Sequence, residues 1–329
     1  MASAEHLKAL LRSHLDGDHD RFMSVAMQVA AHEARLGHGK LATDLRDIVD
    51  QAKSRSNANS PVPIGRPRGE LAGLLEASYP RSRLGDMILG KTLADRIGRV
   101  IRGQRHAGRI LDHGLSPRRK LLFVGPPGTG KTLAASVLAG ELGLPLLQVR
   151  LDGLITRFMG ETAAKLRQIF DATGRTRGVY FFDEFDAIGS ERAIANDAGE
   201  IRRVLNSFLR MIEQDRSHSM VTAATNHPGM LDRALFRRFD DILRFELPDE
   251  SQIAELLKMR LAGTARRPVA WSDLASRAAG LSYAEVARAA DDVIKDALVS
   301  GRARVGQEEI RATLEELKAA GERFGRARA

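Results

Sequence analysis

The chain has no cysteine at all, which excludes disulfides, iron–sulfur clusters and thiolate zinc sites and fits a reducing, cytoplasmic setting. Aromatic residues are scarce at 5%, leaving little material for base-stacking platforms. No apolar run reaches the roughly 18 residues that a membrane span needs. Charged residues at 28% and hydrophobic ones at 43% are close to the make-up of an ordinary soluble protein. The first 15 residues carry His and Glu among their leucines and lack the cationic start, apolar stretch and small-residue cleavage site of a secretory signal, so export is not expected. Of nine histidines, five precede residue 40. None belongs to an HExxH pattern, since His32-Glu33 has no second His four positions after the first, and they are read as solvated helix positions, not metal ligands.

What is present is a basic chain of 329 residues with a formal charge of +9. That balance favours acidic partners in principle. The basic clusters Arg118-Arg119-Lys120, Arg266-Arg267 and the tail arginines 323, 326 and 328 are scattered, which disfavours a nucleic-acid groove without excluding one. The length allows a full α/β core plus one or two smaller helical units.

Residues 1–53 read as three short helices, roughly 4–15, 21–36 and 40–53, with apolar residues at three and four spacings such as Leu41, Leu45 and Ile48. The stretch that follows, 54–83, opens with Pro, Ser, Asn and Gly in no periodic order and reads as a linker. A separately tethered helical unit suits partner or substrate docking; a stabilising appendage is the alternative. From residue 84 to 247 short apolar strands alternate with amphipathic helices, which predicts parallel strands with crossover helices. Five strands are expected, at 121–124, 145–149, 179–182, 220–225 and 241–245. Helices alone follow over 248–329, at about 250–261, 271–278, 282–299 and 306–319, forming a small lid.

The strongest motif is Gly125-Pro-Pro127-Gly128-Thr129-Gly130-Lys131-Thr132, followed by Leu133, set between a strand and a helix. It matches the phosphate-loop pattern in its required context. Glycines let backbone N–H groups turn in around phosphates, Lys131 reaches the β and γ oxygens, and Thr132 offers its hydroxyl to Mg²⁺ at a helix N-terminus that already favours anions. Further on, Val179-Tyr-Phe-Phe-Asp183-Glu184 is a buried strand ending in two carboxylates. Asp183 suits the metal, and Glu184 the polarising of an attacking water. Met220-Val-Thr-Ala-Ala-Thr-Asn226 ends a strand in an amide that could sit between the other two sites and orient that water; Asn is also a common turn residue. Leu231-Asp-Arg-Ala-Leu-Phe-Arg237-Arg238-Phe239-Asp240 offers two adjacent arginines. Either could stabilise a phosphoryl transition state from outside; on an ordinary helix they would simply be solvated.

These four motifs, in this order and spacing, resemble the AAA ATPases from about Asp86 to Leu298. The resemblance implies an α/β P-loop core of five parallel strands with a C-terminal helical lid and a small all-α N-terminal domain. It implies ATP and Mg²⁺ as ligands and a homo-oligomeric ring, usually of six, in which Arg237 and Arg238 complete the neighbour's site. Asp86-Met-Ile88-Leu-Gly90 is similar to the segment that the family lays against adenine, and Gly280-Leu-Ser-Tyr-Ala284-Glu285 to the lid turn over the same base. Arg157-Phe158-Met159-Gly160 is similar to the aromatic pore loop that grips a polypeptide in many such rings, and residues 191–199 fit a second pore loop more weakly. Phe158 and Met159 packing under the next helix is the alternative.

No second core and no HExxH follow, so neither a double ring nor a fused zinc protease is implied, and Tyr283 and Ala284 stand where some relatives carry a lid arginine. The reading is a protein-remodelling ATPase acting on a protein client. The alternatives are a regulatory switch for a partner enzyme, similar in general appearance to ATPases paired with subtilisin-like proteases, and a nucleic-acid motor or loader.

Overall fold

The computed structural model describes residues 8, 13, 19–46, 67, 69–154, 159–185, 198–230, 236–266 and 268–326. These fall into two compact units, Met1–Pro61 and Val62–Ala329. In the first, α1 (His19–Arg35) buries Val25, Val29 and Ala30 along one stripe. The buried Glu33 accepts a hydrogen bond from His38 at 2.7 Å, which holds its carboxyl below the usual range. A further helical stretch covers 39–46. Residues 54–66 of the expected linker lie outside the described residues.

The second unit is built on a sheet of six strands: β1 (Leu75–Ser78), β2 (Lys120–Val124), β3 (Leu146–Val149), β4 (Val179–Phe182), β5 (Met220–Thr225) and β6 (Asp241–Arg244), in the order β1-β3-β4-β5-β2-β6. All neighbours run parallel except β1, which pairs antiparallel with β3, Leu75 opposite Val149. Five strands fall where the sequence places them. The sixth, β1, comes from the stretch read as linker. Its four residues, Leu-Glu-Ala-Ser, alternate apolar and polar over too short a run to stand out in the sequence, and burial of Leu75 with antiparallel pairing to β3 makes the strand.

Strands β2, β4 and β5 are buried along their whole length, as strands covered on both faces must be. Alternate residues feed two cores. Leu122, Tyr180, Phe182 and Val221 face α4 (Met159–Arg175) and α5 (Ala198–Gln214); Leu121, Phe123, Phe181 and Ala224 face α2 (Lys91–Arg105) and α3 (Lys131–Leu142). The few aromatics are concentrated here: Phe208 lies with its ring 4.6 Å from that of Phe185, 5.1 Å from Phe182 and 5.6 Å from Phe170. Aromatic pairs at such spacings add about 0.5–1.5 kcal/mol each beyond their burial.

The lid has its own core, with Leu257, Leu274, Val286 and Leu314 fully buried between α6 (Glu250–Leu261), α7 (Trp271–Arg277), α8 (Tyr283–Val299) and α9 (Gln307–Arg326). Asp249 and Ser282 cap α6 and α8 in capping boxes with Gln252 and Glu285.

Candidate active site

The strand order decides the site. Because β5 lies between β4 and β2 and all three run the same way, their C-terminal ends bring Glu184, Asn226 and the phosphate loop to one edge of the sheet, where ligands bind in open α/β folds. They line one cavity of about 460 Å³ together with Ile88, Pro127, Gly128, Thr129, Gly130, Lys131, Thr132, Leu133, Asp183 and Ala284.

Each member is held by identifiable contacts. Gly125 and Gly128 have φ of 153° and 73°, conformations that side chains rarely adopt. A Cβ at Gly125 would run into the carbonyl of Phe245, and one at Gly128 would stand 2.5 Å from Ser282 Oγ, so backbone alone fits this cradle. Lys131 Nζ donates to the carbonyls of Gly125 and Pro126 at 2.8 and 2.7 Å, and Thr129 Oγ1 donates to Pro126 at 2.8 Å. Thr132 Oγ1 donates to Asp183 Oδ2 at 2.8 Å. This pair of hard oxygen donors, at the N-terminus of α3, fits a Mg²⁺ ion that takes few protein ligands and completes its shell with phosphate and water. Glu184 has φ of 47°, the one non-glycine positive φ among the described residues. Backbone of this kind costs about 1–3 kcal/mol and collects at functional positions. The strain is held from both sides: Glu184 N donates to Asp183 Oδ1 at 3.0 Å, and the next residue, Phe185, is fully buried against Phe208.

The lid closes the cavity from above. Ala284 N donates to Gly128 O at 3.0 Å, tying the start of α8 to the phosphate loop. Leu256, Met259 and Arg260, one stripe of α6, and Tyr283 and Ala287 of α8 add to the lining. Their i, i+3, i+4 spacing was readable as a helix face, but nothing local says what that face meets. Arg260, whose Nη1 donates to Asp291 Oδ1 at 3.5 Å, puts a lid arginine on the cavity wall from α6, while Tyr283 and Ala284 occupy the turn at 283–284. Burial, with the Asp249 and Glu255 carboxylates, pushes the Tyr283 hydroxyl up to about 12. Two expected lining residues stand apart. Gly90 caps α2 and borders an adjoining crevice, and Gly280, with φ of 92°, shapes the turn before Leu281 without touching the cavity.

Arg237 and Arg238 are also away from it. Arg237 is exposed, while Arg238 Nη1 pairs with Glu213 Oε2 at 2.9 Å. Both are presented by a well-anchored segment: Phe239 is buried, and Asp240 Oδ2 accepts from the backbone N–H of Arg119 and Lys120 at 2.8 and 2.9 Å. Phe158 lies outside the described residues, and Met159 and Gly160 open α4.

Residues 121–247 match the sequence pattern of the ATPase family associated with various cellular activities (AAA). An AAA family ATPase of Sinorhizobium fredii is 35% identical over 320 residues, 96% of each chain. The chain belongs to the AAA family of ATPases. With the family come nucleotide binding and ATP hydrolysis. ATP-dependent zinc metalloproteases named FtsH are similar over a shorter part of their own length: that of Acidothermus cellulolyticus is 34% identical over 75% of this chain and 38% of its own, and one from Sphaerobacter thermophilus 30% identical over 85% and 55%. The chain thus spans about half or less of those two proteases, and its sequence has no HExxH. No described helix is long and apolar enough to cross a membrane.

Proposed function

We propose that this AAA protein hydrolyses ATP in a site shared between neighbouring copies of a homo-oligomeric ring and uses the energy to remodel a protein client. One observation carries the shared site: the cavity gathers Lys131, Thr132, Asp183, Glu184 and Asn226, yet Arg237 and Arg238 do not line it. Both arginines stand beside a rigid anchor, which suits insertion into another copy's cavity.

In this reading the phosphate-loop N–H groups and Lys131 bind the triphosphate, and Leu133, Met259 and Ile88 give the base an apolar bed. Glu184 and Asn226 orient a water, and Glu184 accepts its proton as the oxygen attacks the γ-phosphorus and the bond to the leaving ADP oxygen breaks. Mg²⁺, held by Thr132 and Asp183, would neutralise charge on the phosphate oxygens. The neighbour's arginines contribute about 10³- to 10⁵-fold in rate. Client handling is assigned to Phe158, Met159 and Gly160 on sequence resemblance, supported by relatives whose names describe ATP-dependent proteases.

Mixing two inactive variants tests the shared site. Lys131→Ala lacks a working cavity, and Arg237→Ala/Arg238→Ala lacks the donated arginines. Each alone should fall at least about 10²-fold in ATP turnover. Mixed, they should regain activity at interfaces where an intact cavity meets intact arginines. Full turnover by the double arginine variant alone, or no recovery from mixtures that co-assemble, would refute the proposal.

A further inference from the structure

Between the C-terminal halves of α4 and α5 lies a second concavity of about 990 Å³ that shares no lining residue with the nucleotide cavity. Phe170 and Met211, both half-buried, are its apolar lining residues. Phe170 is braced from below by the Phe182 and Phe208 rings at 6.2 and 5.6 Å. Three exposed arginines, Arg167, Arg210 and Arg216, stand in its wall. Among the described residues none of the three pairs with a carboxylate. Asp215 also borders it, but that carboxylate is taken up by the Arg119 guanidinium, Thr173 and Ser217. Asp171 is the remaining acid, so the rim carries an uncompensated positive charge around an apolar floor.

We infer that this groove docks an acidic, amphipathic segment of a partner protein. The arginines meet its carboxylates and one or two of its apolar side chains seat over Phe170 and Met211, in the manner of a peptide laid between two helices. Unpaired arginines suit this role, since they form forked bonds to carboxylates and are weakly hydrated. A nucleic-acid strand fits less well. Phe170 is packed against other rings instead of offering a free face for base stacking, and Asp171 and Asp215 would meet a phosphodiester backbone whose charges cannot be spaced to avoid them. A peptide can leave those positions neutral.

The test pans a random dodecapeptide library against the full chain and titrates a labelled copy of the enriched sequence by fluorescence anisotropy. Peptides rich in Asp and Glu with one or two large apolar residues should be enriched. Arg167→Glu/Arg210→Glu should weaken binding at least about tenfold, and Asp171→Lys should strengthen it about threefold, a gain that misfolding cannot imitate. Gly174 borders the groove inside α4, and a Cβ there meets nothing within 4 Å. Gly174→Leu should therefore narrow the groove and weaken binding while favouring the helix. All three variants should hydrolyse ATP at the parent rate. The proposal falls if no acidic sequence is enriched or if the selected peptide is indifferent to these substitutions. Displacement of the peptide by single-stranded DNA would reassign the groove to nucleic acid, and peptide binding that is lost as the chain self-associates at rising protein concentration would reassign it to a second copy of this chain.

Discussion

The two ends of β2 are held in opposite ways. At the C-terminal end, Val124 runs into a loop whose lysine rests on two backbone carbonyls of the same loop. These contacts can be exchanged for phosphate oxygens without leaving a buried charge alone. At the N-terminal end, Asp240 clamps the N–H groups of Arg119 and Lys120, and the Arg119 guanidinium is paired with Asp215, where the two side chains are 12% and 5% exposed. Removing either partner there leaves an uncompensated ion in low dielectric. The end that must respond to a ligand is thus built from replaceable bonds, and the end that carries Arg237 and Arg238 from bonds that cannot be given up cheaply.

Three substitutions would break or sharpen this contrast. The largest effect is expected of Lys131→Ala, which should reduce nucleotide affinity and turnover by at least about 10²-fold while leaving the urea unfolding midpoint nearly unchanged. A collapse in stability would mean that the loop is structural after all. Asp215→Asn should do the reverse, costing about 3 kcal/mol in stability with nucleotide affinity intact. Its pH dependence carries a sign. Burial raises the Asp215 carboxyl, but the Arg119 and Ser217 hydrogen bonds outweigh it and hold the group below the ordinary aspartate value. Its contribution is therefore complete above that value and is lost as pH falls toward the depressed one. Urea titrations at descending pH should show parent and variant converging in acid; a constant gap would break the argument. The smallest effect belongs to Glu213→Gln. The Arg238–Glu213 pair is 30% and 50% exposed, so its loss should shift stability by no more than about 1 kcal/mol, and a larger shift would place Arg238 among the structural ions instead of the poised ones.

Much of this was legible in the sequence, for a physical reason. The phosphate loop, Asp183, Glu184 and Asn226 sit at the ends of continuous apolar strands, and in a parallel sheet strand ends converge. What escaped was whatever depends on distant segments meeting. β1 alternates apolar and polar residues for only four positions, too few to stand out, and is fixed by burial of Leu75 and pairing with β3. Met259 and Arg260 read as an ordinary helix face until α6 is set over the cavity. Gly90 and Gly280 were expected against the nucleotide, yet neither lines the cavity: Gly90 caps α2 beside an adjoining crevice and Gly280 shapes a turn. The partner of Arg238 was equally hidden, because Glu213 lies at the end of a helix a whole strand earlier.

The bond from Ala284 to Gly128 joins lid and phosphate loop through main-chain atoms only. Nineteen of the twenty amino acids carry the donor that it needs at position 284, and proline alone lacks it. A conventional alanine scan would therefore pass over this junction without registering it. Proline substitution, or an ester in place of the amide, is the perturbation to which the link between lid and loop is chemically visible.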